Sequence, residues 1–353
     1  MSLAHGYAAH DAHSPLVPFT FERRSTGPND VHVEILYSGI CHSDLHQARD
    51  DWGGALFPMV PGHEIIGRVT EVGANVKKFK VGDYAGVGCM VDSCRHCQNC
   101  NDDLEQFCVE GATWTYNSKL RNSEELAFGG YSDHIVVDER FVVSVSPKLD
   151  LKAVAPLLCA GITTYSPLRH WQVGPGQKVG VIGLGGLGHM GVKFAKAMGA
   201  HVVMITTTPE KGKDAKRLGA DEVLVSRDKD AMAAHAGSFD FLLNTIPVGH
   251  DINPYANLLK RDATMALVGA LTALEPPLLG VNLMFGRKRI SGSAIGGMAE
   301  TQEMMDFCAE HGIVSDVEMV SIQDVNQAYE RLLKNDVRYR FVIDMASLPR
   351  DAA

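Results

Sequence analysis

Along the first third of the chain, apolar and polar residues alternate in short runs punctuated by glycine: "VHVEILYSGI", "HEIIGRVTEVG", "VGDYAGVG" and, further on, "YSDHIVVDERFVVSV". A period of two with a glycine at nearly every turn predicts short strands in a small, strongly bent antiparallel barrel. After "PLLCAGITTYSPL" the texture changes. Strand runs now alternate with helical ones: "KVGVIG", "LGHMGVKFAKAMG", "HVVMIT", "PEKGKDAKRLG", then the strands "DEVLVS", "FDFLLNTI" and "ATMALVG". That alternation predicts an α/β domain with a doubly wound parallel sheet. The remainder gives two helices, "ETQEMMDFCAEHG" and "IQDVNQAYERLLKND", and a strand, "YRFVIDM", expected to pack back on the first domain. The expected division is therefore residues 1–154, 155–294 and a returning segment 295–353. No repeat or low-complexity linker interrupts it.

At 353 residues the chain is long enough for two cores. Its formal charge of -9, without a basic stripe or charged tail, argues against a nucleic-acid surface and for a small-molecule partner. The N-terminus has no basic segment followed by an apolar core, and no run reaches the ~20 apolar residues of a membrane span. No membrane association is expected, and the cytoplasm is the expected compartment. There, a dense set of thiols reads as metal-bound or catalytic before it reads as disulfides.

Four of the 8 cysteines stand in "CRHCQNCNDDLEQFC". Cys94, Cys97, Cys100 and Cys108 follow C-x2-C-x2-C-x7-C, which lets one looped segment wrap four thiolates tetrahedrally around a structural zinc. Iron–sulfur centres use similar spacings, but usually draw on a more distant cysteine or carry a proline after the last one. His96, inside the cluster, reads as a solvated loop residue because four sulfurs complete the shell.

"GLGGLG", Gly183 to Gly188, follows an apolar strand and opens a helix, the context that turns a weak glycine motif into a dinucleotide fingerprint. Gly183 allows the tight turn, Gly185 lets backbone approach a pyrophosphate, and Gly188 lets helix and strand pack closely. Gly186 adds permissiveness without a separate role. The next strand ends in "ITTTPEKGK", where an NAD-binding domain usually places an acid for the ribose 2′-hydroxyl. Here Thr206, Thr207 and Thr208 offer hydroxyls and Lys211 and Lys213 offer charge, so a 2′-phosphate is welcomed. The cofactor expected is NADP(H). Glu210, inside the following helix, is expected to face solvent.

Three further segments carry metal-type residues: "GICHSDLH", "PGHEIIG" and "LLCAG". Cys41, His63 and Cys159 could converge as two thiolates and one imidazole with an open fourth position, the ligand set of a catalytic alcohol-dehydrogenase zinc. Glu64 could serve as an exchangeable fourth ligand. With "CAGITTY", "GLGGLGH" and the four-cysteine loop, in this order and at these intervals, the chain resembles the zinc-dependent medium-chain dehydrogenase/reductase family over essentially its whole length. It is most similar to the cinnamyl alcohol dehydrogenase branch and, through "APLLCAGITTYSPLRHW", to microbial NADP-dependent aldehyde reductases.

The resemblance implies a GroES-like catalytic domain, a Rossmann domain and a homodimer formed through the Rossmann sheets. It implies two zinc ions per chain: a catalytic one on Cys41, His63 and Cys159 with Glu64 nearby, and a structural one on the cysteine loop. Ser43, His46 and Asp51 fall where the branch places proton-relay and ribose-contact residues, the proton leaving through Ser43 to the cofactor ribose and then His46. Thr207 and Lys211 fall where it grips the 2′-phosphate; plant members carry serines in place of "TTT", which keeps the hydroxyl. Thr163, Leu184 and Leu187 complete the expected cofactor contacts. Trp114 falls where the branch lines its substrate pocket, and Trp52 follows the relay segment; packing under loops is the alternative for both.

Cys89 and Cys308 lie outside both ligand sets and read as buried apolar fillers. His5, His10 and His13 read as a solvated end, His42 as a strand residue facing away from the site, and Met304 and Met305 as core. The expected activity is reduction of aldehydes, including aromatic ones, and the reverse oxidation of primary alcohols. An NAD-dependent polyol or formaldehyde-type dehydrogenase of the same family, and a non-catalytic NADP-binding protein, are the alternatives.

Overall fold

The computed structural model describes residues 2–269 and 272–349. The chain divides into two compact units, Met1–Cys159 with Gly296–Ala353, and Ala160–Ile295. The first division falls a few residues later than the change of sequence texture. The reason is local: the turn Ala155–Leu158 packs on the strands Asp30–Ile40, Ile65–Val72 and Tyr84–Val87 of the first unit, with all four of its residues buried.

The first unit is built on a seven-stranded, mostly antiparallel sheet. Its long strand Asp30–Ile40 pairs with Ile65–Val72 on one edge; on the other it pairs first with His134–Asp138 and then with Arg340–Asp344. Irregularities at His32/Val33 and Ile35/Tyr37 let one strand serve these partners, because a bulge bends a strand and raises its twist. The returning segment supplies the helices Met298–His311 and Val325–Leu333 and the strands Val317–Ser321 and Arg340–Asp344. Met304, Met305 and Cys308 are buried in its core.

Two expectations are corrected here. The N-terminus is not a solvated end: Ser2–Ala8 pairs in full with Val17–Arg23, and His5 bonds to Asp133. His10, edge-on against Phe19, and His13 are both exposed, as the sequence reading expects. His42 is not on a strand: it opens the helix His42–Ala48, and its ring lies 6.2 Å from that of His46.

The second unit is a six-stranded parallel sheet. Its order is Glu222–Val225, His201–Thr206, Lys178–Ile182, Phe239–Asn244, Leu259–Leu267, Arg289–Gly292. Numbered by sequence this is 3-2-1-4-5-6, the order that opens a crevice for a dinucleotide beside the first strand. Both faces of the central strands are buried, which explains why these read as continuous apolar runs; Val179, Val181, Val203 and Leu242 are wholly buried.

Candidate active site

Strand Asp30–Ile40 ends at Cys41, which caps the helix His42–Ala48. Asp44, at the third helical position, accepts from the Cys41 backbone N–H through Oδ2 at 2.9 Å, as an acid there commonly does. Its other oxygen accepts from Gly62 N at 3.0 Å and meets His63 Nδ1 at 3.0 Å. Tyr131 OH donates to Oδ2 at 3.3 Å. One fully buried carboxylate therefore holds two ligand-bearing segments and fixes the His63 ring so that Nε2 is left to bind. Asp44 had no assigned role in the sequence reading. Its signal is the Cys-x-x-Asp spacing of a capped helix, hidden when "GICHSDLH" is taken as a strand end.

Ligand atoms of Cys41, His63, Glu64 and Cys159 lie within 4.8 Å of one another. The two sulfurs are 3.9 Å apart, against about 3.8 Å for thiolates at 2.3 Å from a tetrahedral zinc. Glu64 is wholly buried and pairs with the buried Arg340 through Oε1, while Oε2 has no hydrogen-bond partner. Burial pushes its carboxyl up to about 7 against the pull of Arg340. An orphaned buried carboxylate oxygen amid sulfur and imidazole donors fits a cation. Gly39 makes room for it: a Cβ there would collide with the Glu64 carboxylate. Arg340 comes from the far end of the chain, on the strand that sets Phe341 opposite Ile40. Spacing gave no sign of it.

Replacing Asp44 by Asn is expected to weaken zinc at this site by about 10- to 100-fold, the usual cost of losing an outer-shell carboxylate. Competition with a chromophoric chelator measures it; unchanged affinity would remove Asp44 from the account.

Ser43 Oγ lies 3.7 Å from Cys41 Sγ. His46 follows three residues later on the same helical face, and its Nδ1 is 2.7 Å from Asp51 Oδ2. The His46 ring also packs 5.3 Å from Trp52, which is 45% exposed. Trp114, on the short strand Thr113–Trp114, is 42% exposed.

In the cysteine loop the sulfurs of Cys94 and Cys100 are 3.8 Å apart and those of Cys97 and Cys100 3.5 Å, again a zinc-sized tetrahedron. Backbone N–H groups aim inward: Cys94 N donates to Cys108 Sγ and Cys97 N to Cys94 Sγ, each at 3.3 Å. Bonds from the Val109 and Cys100 backbones bring the Cys97 thiol down to about 6, as suits a metal thiolate. Arg95 ties the loop to the sheet through Asp92 and Asp138. His96 is exposed and meets Glu110 at 3.0 Å.

The glycine loop lies in the second unit. Gly183 has φ +93°, the turn only glycine adopts freely; a Cβ on Gly188 would strike the Gly183 carbonyl, and nothing lies within 4 Å of one on Gly185. Gly186 and Leu187 lead into the helix Gly188–Ala197, and Leu184 is buried beneath the turn. Lys211 reaches back to Leu184 O at 3.4 Å, which sets its charge against the loop. Of the threonines, Thr206 is buried at the strand end, whereas Thr207 is exposed and Thr208 half-exposed. Glu210 is exposed. Thr163 is buried in the helix Ala160–His170.

Residues 27–147 match the family described as "Alcohol dehydrogenase GroES-like domain", and residues 186–310 match "Zinc-binding dehydrogenase". "Aldehyde reductase YahK" of Escherichia coli is 58% identical over 96% of this chain and 97% of its own length. The chain belongs to the zinc-dependent medium-chain dehydrogenase family. Among solved structures, a cinnamyl alcohol dehydrogenase of Sorghum bicolor is similar to this dehydrogenase at TM-score 0.94 and 46% identity, covering 100% of both chains. One from Helicobacter pylori, complexed with NADP(H), is similar at TM-score 0.91 and 42% identity, covering 98% of this chain and 99% of its own.

Proposed function

We propose that this dehydrogenase is an NADP(H)-dependent zinc alcohol dehydrogenase that acts chiefly as an aldehyde reductase on extended or aromatic aldehydes. The observation that carries the reading is the largely buried donor group Cys41, His63, Glu64 and Cys159, with Ser43 beside it. These four residues would hold the catalytic zinc, and Cys94, Cys97, Cys100 and Cys108 a structural one. Zinc would supply Lewis acidity toward the carbonyl oxygen, and NADPH the hydride. Ser43 hands a proton to the substrate oxygen, and His46, held by Asp51, restores it from solvent. Gly183, Gly185 and Gly188 shape a backbone cradle for a pyrophosphate, and Thr207, Thr208 and Lys211 favour a 2′-phosphate on the ribose. The buried Thr206 contributes backbone shape at the strand end. Trp52 and Trp114 offer flat apolar surface to a planar substrate.

Initial rates with NADPH and NADH test this reading. NADPH is expected to be preferred by about one to two powers of ten, from one charge-assisted phosphate contact of about 1.5–3 kcal/mol. Benzaldehyde or cinnamaldehyde is expected to outperform acetaldehyde. Equal use of NADH would return the choice to an NAD-dependent polyol or formaldehyde-type dehydrogenase, and a preference for acetaldehyde would remove the aromatic pocket.

The reading includes a homodimer. Strand Arg289–Gly292 ends the parallel sheet with one edge unpaired among the described residues, and Leu279, Val281, Met284 and Phe285 just before it are at least half exposed. An open edge flanked by apolar side chains suits pairing with a second copy. Phe285→Glu is expected to shift sedimentation from dimer to monomer; a monomeric unmodified protein would refute the pairing. A cytoplasmic location also belongs to the reading. No helix among the described residues is long and apolar enough to cross a membrane, and none of the eight cysteines is in a disulfide, as a reducing compartment keeps them.

A further inference from the structure

A third thiol stands beside the catalytic donor group. Cys89 follows the strand Tyr84–Val87 and is half-buried, where sequence alone read it as an apolar filler. Its Sγ lies 3.7 Å from the carbonyl oxygen of Leu158, the residue that precedes Cys159, so the two cysteines are neighbours in space. The backbones run close as well: a Cβ on Gly88 would sit 3.1 Å from Leu158 O. Two cysteines thus stand near Cys159. Cys41, at 3.9 Å, belongs to the donor group; Cys89 does not. No step of aldehyde reduction uses it.

We propose that hydroperoxides cross-link Cys89 to Cys159 and thereby release the catalytic zinc. The inference rests on the reading of Cys159 as a zinc ligand. A ligand sulfur shares its lone pairs with the metal, whereas the sulfur of Cys89 keeps them for attack on an oxidant. The Cys89 thiol takes one oxygen from the hydroperoxide, forming a sulfenic acid and leaving an alcohol, or water when the oxidant is hydrogen peroxide. The Cys159 sulfur then attacks the Cys89 sulfur, and hydroxide leaves and is protonated to water. The Cys89 thiol and the Cys159 thiolate together lose two electrons, the peroxide gains them, and the leaving hydroxide takes its proton from solvent. With Cys159 tied up, the site keeps one thiolate, one imidazole and one carboxylate, a weaker set for zinc. A dithiol reductant reverses the bond and restores the ligand.

The test treats the zinc-loaded protein with hydrogen peroxide, follows zinc release with a chromophoric chelator and maps linked peptides by mass spectrometry. The expected result is a Cys89–Cys159 peptide that grows in step with release of about half the zinc, and rebinding of zinc after dithiothreitol. Cys89→Ala, compared with its own untreated sample, is expected to release zinc severalfold more slowly. Zinc release with Cys89 still a free thiol, a Cys41–Cys159 linkage in its place, or equal sensitivity of Cys89→Ala would overturn the proposal. A Cys89–Cys159 linkage with all zinc retained would instead support the pairing and contradict Cys159 as a ligand.

Discussion

Cys41→Ser is expected to abolish turnover while leaving the thermal midpoint close to that of the unmodified protein, whereas Cys100→Ser is expected to lower stability and soluble yield. The contrast follows from what each donor group supports. Cys41 lies at the end of a strand whose pairing on both edges does not depend on its sulfur. Asp44 goes on holding Cys41 N and Gly62 N whichever atom stands on the Cys41 side chain. What is lost is a thiolate that a hydroxyl replaces poorly on zinc. Cys100 is different. Its loop, Cys94 to Cys108, has little regular structure of its own, only the short helix Gln98–Asn101 and one 3-10 turn. Yet other parts are built on it: Glu105 accepts from Met298 N at 2.9 Å at the start of the helix Met298–His311, and Gly297 packs against the Asp103 carbonyl. Losing a structural metal belongs to the mechanisms that cost on the order of 4 kcal/mol or more. Thermal denaturation and steady-state rates on both variants decide this. Equal destabilisation by the two would show that the sites do not divide the work.

The second large effect is at the proton path. Ser43→Ala is expected to cut turnover by roughly two to four powers of ten, the range for a positioned acid or base, with little change in NADPH binding. Ser43 is 3.7 Å from Cys41 Sγ, so its hydroxyl stands beside the donor group without belonging to it. His46→Ala is expected to cost less, because water can replace the outer member of a relay. Near-normal turnover in Ser43→Ala would remove the relay. A rise in KM for NADPH equal to the fall in kcat would make Ser43 a cofactor contact instead.

The parts legible in the sequence are those written in local pattern. The second unit shows this well: continuous apolar strands alternating with helices, and glycines where backbone must turn or approach, lead directly to a parallel sheet with its loop at Gly183. The cysteine loop was equally open to reading because all four donors stand within one turn-rich segment. What escaped depends on tertiary contact. Arg340 lies 276 residues from Glu64 and meets it only because the last strand joins the first sheet. Cys89 carries no spacing to Cys159; it comes near it because the Ala155–Leu158 turn packs on the strand Tyr84–Val87, which sets Cys89 against Leu158 O. His5 sits in an N-terminal stretch that looks polar and loose in sequence, yet pairing with Val17–Arg23 and the bond to Asp133 order it. His42 and Asp44 were misread or passed over for one reason: the shift from a period of two to 3.6 comes at Cys41, and a residue assigned to the wrong side of such a boundary is given the wrong face.

The most direct test of the account is a zinc titration of the protein with NADPH-dependent benzaldehyde reduction followed alongside. The account predicts two zinc ions per chain, turnover that disappears when one of them is removed by a chelator and returns as zinc is added back, and a single, catalytically silent zinc in Cys41→Ser. Full turnover in protein that holds only the zinc of the cysteine loop would contradict it.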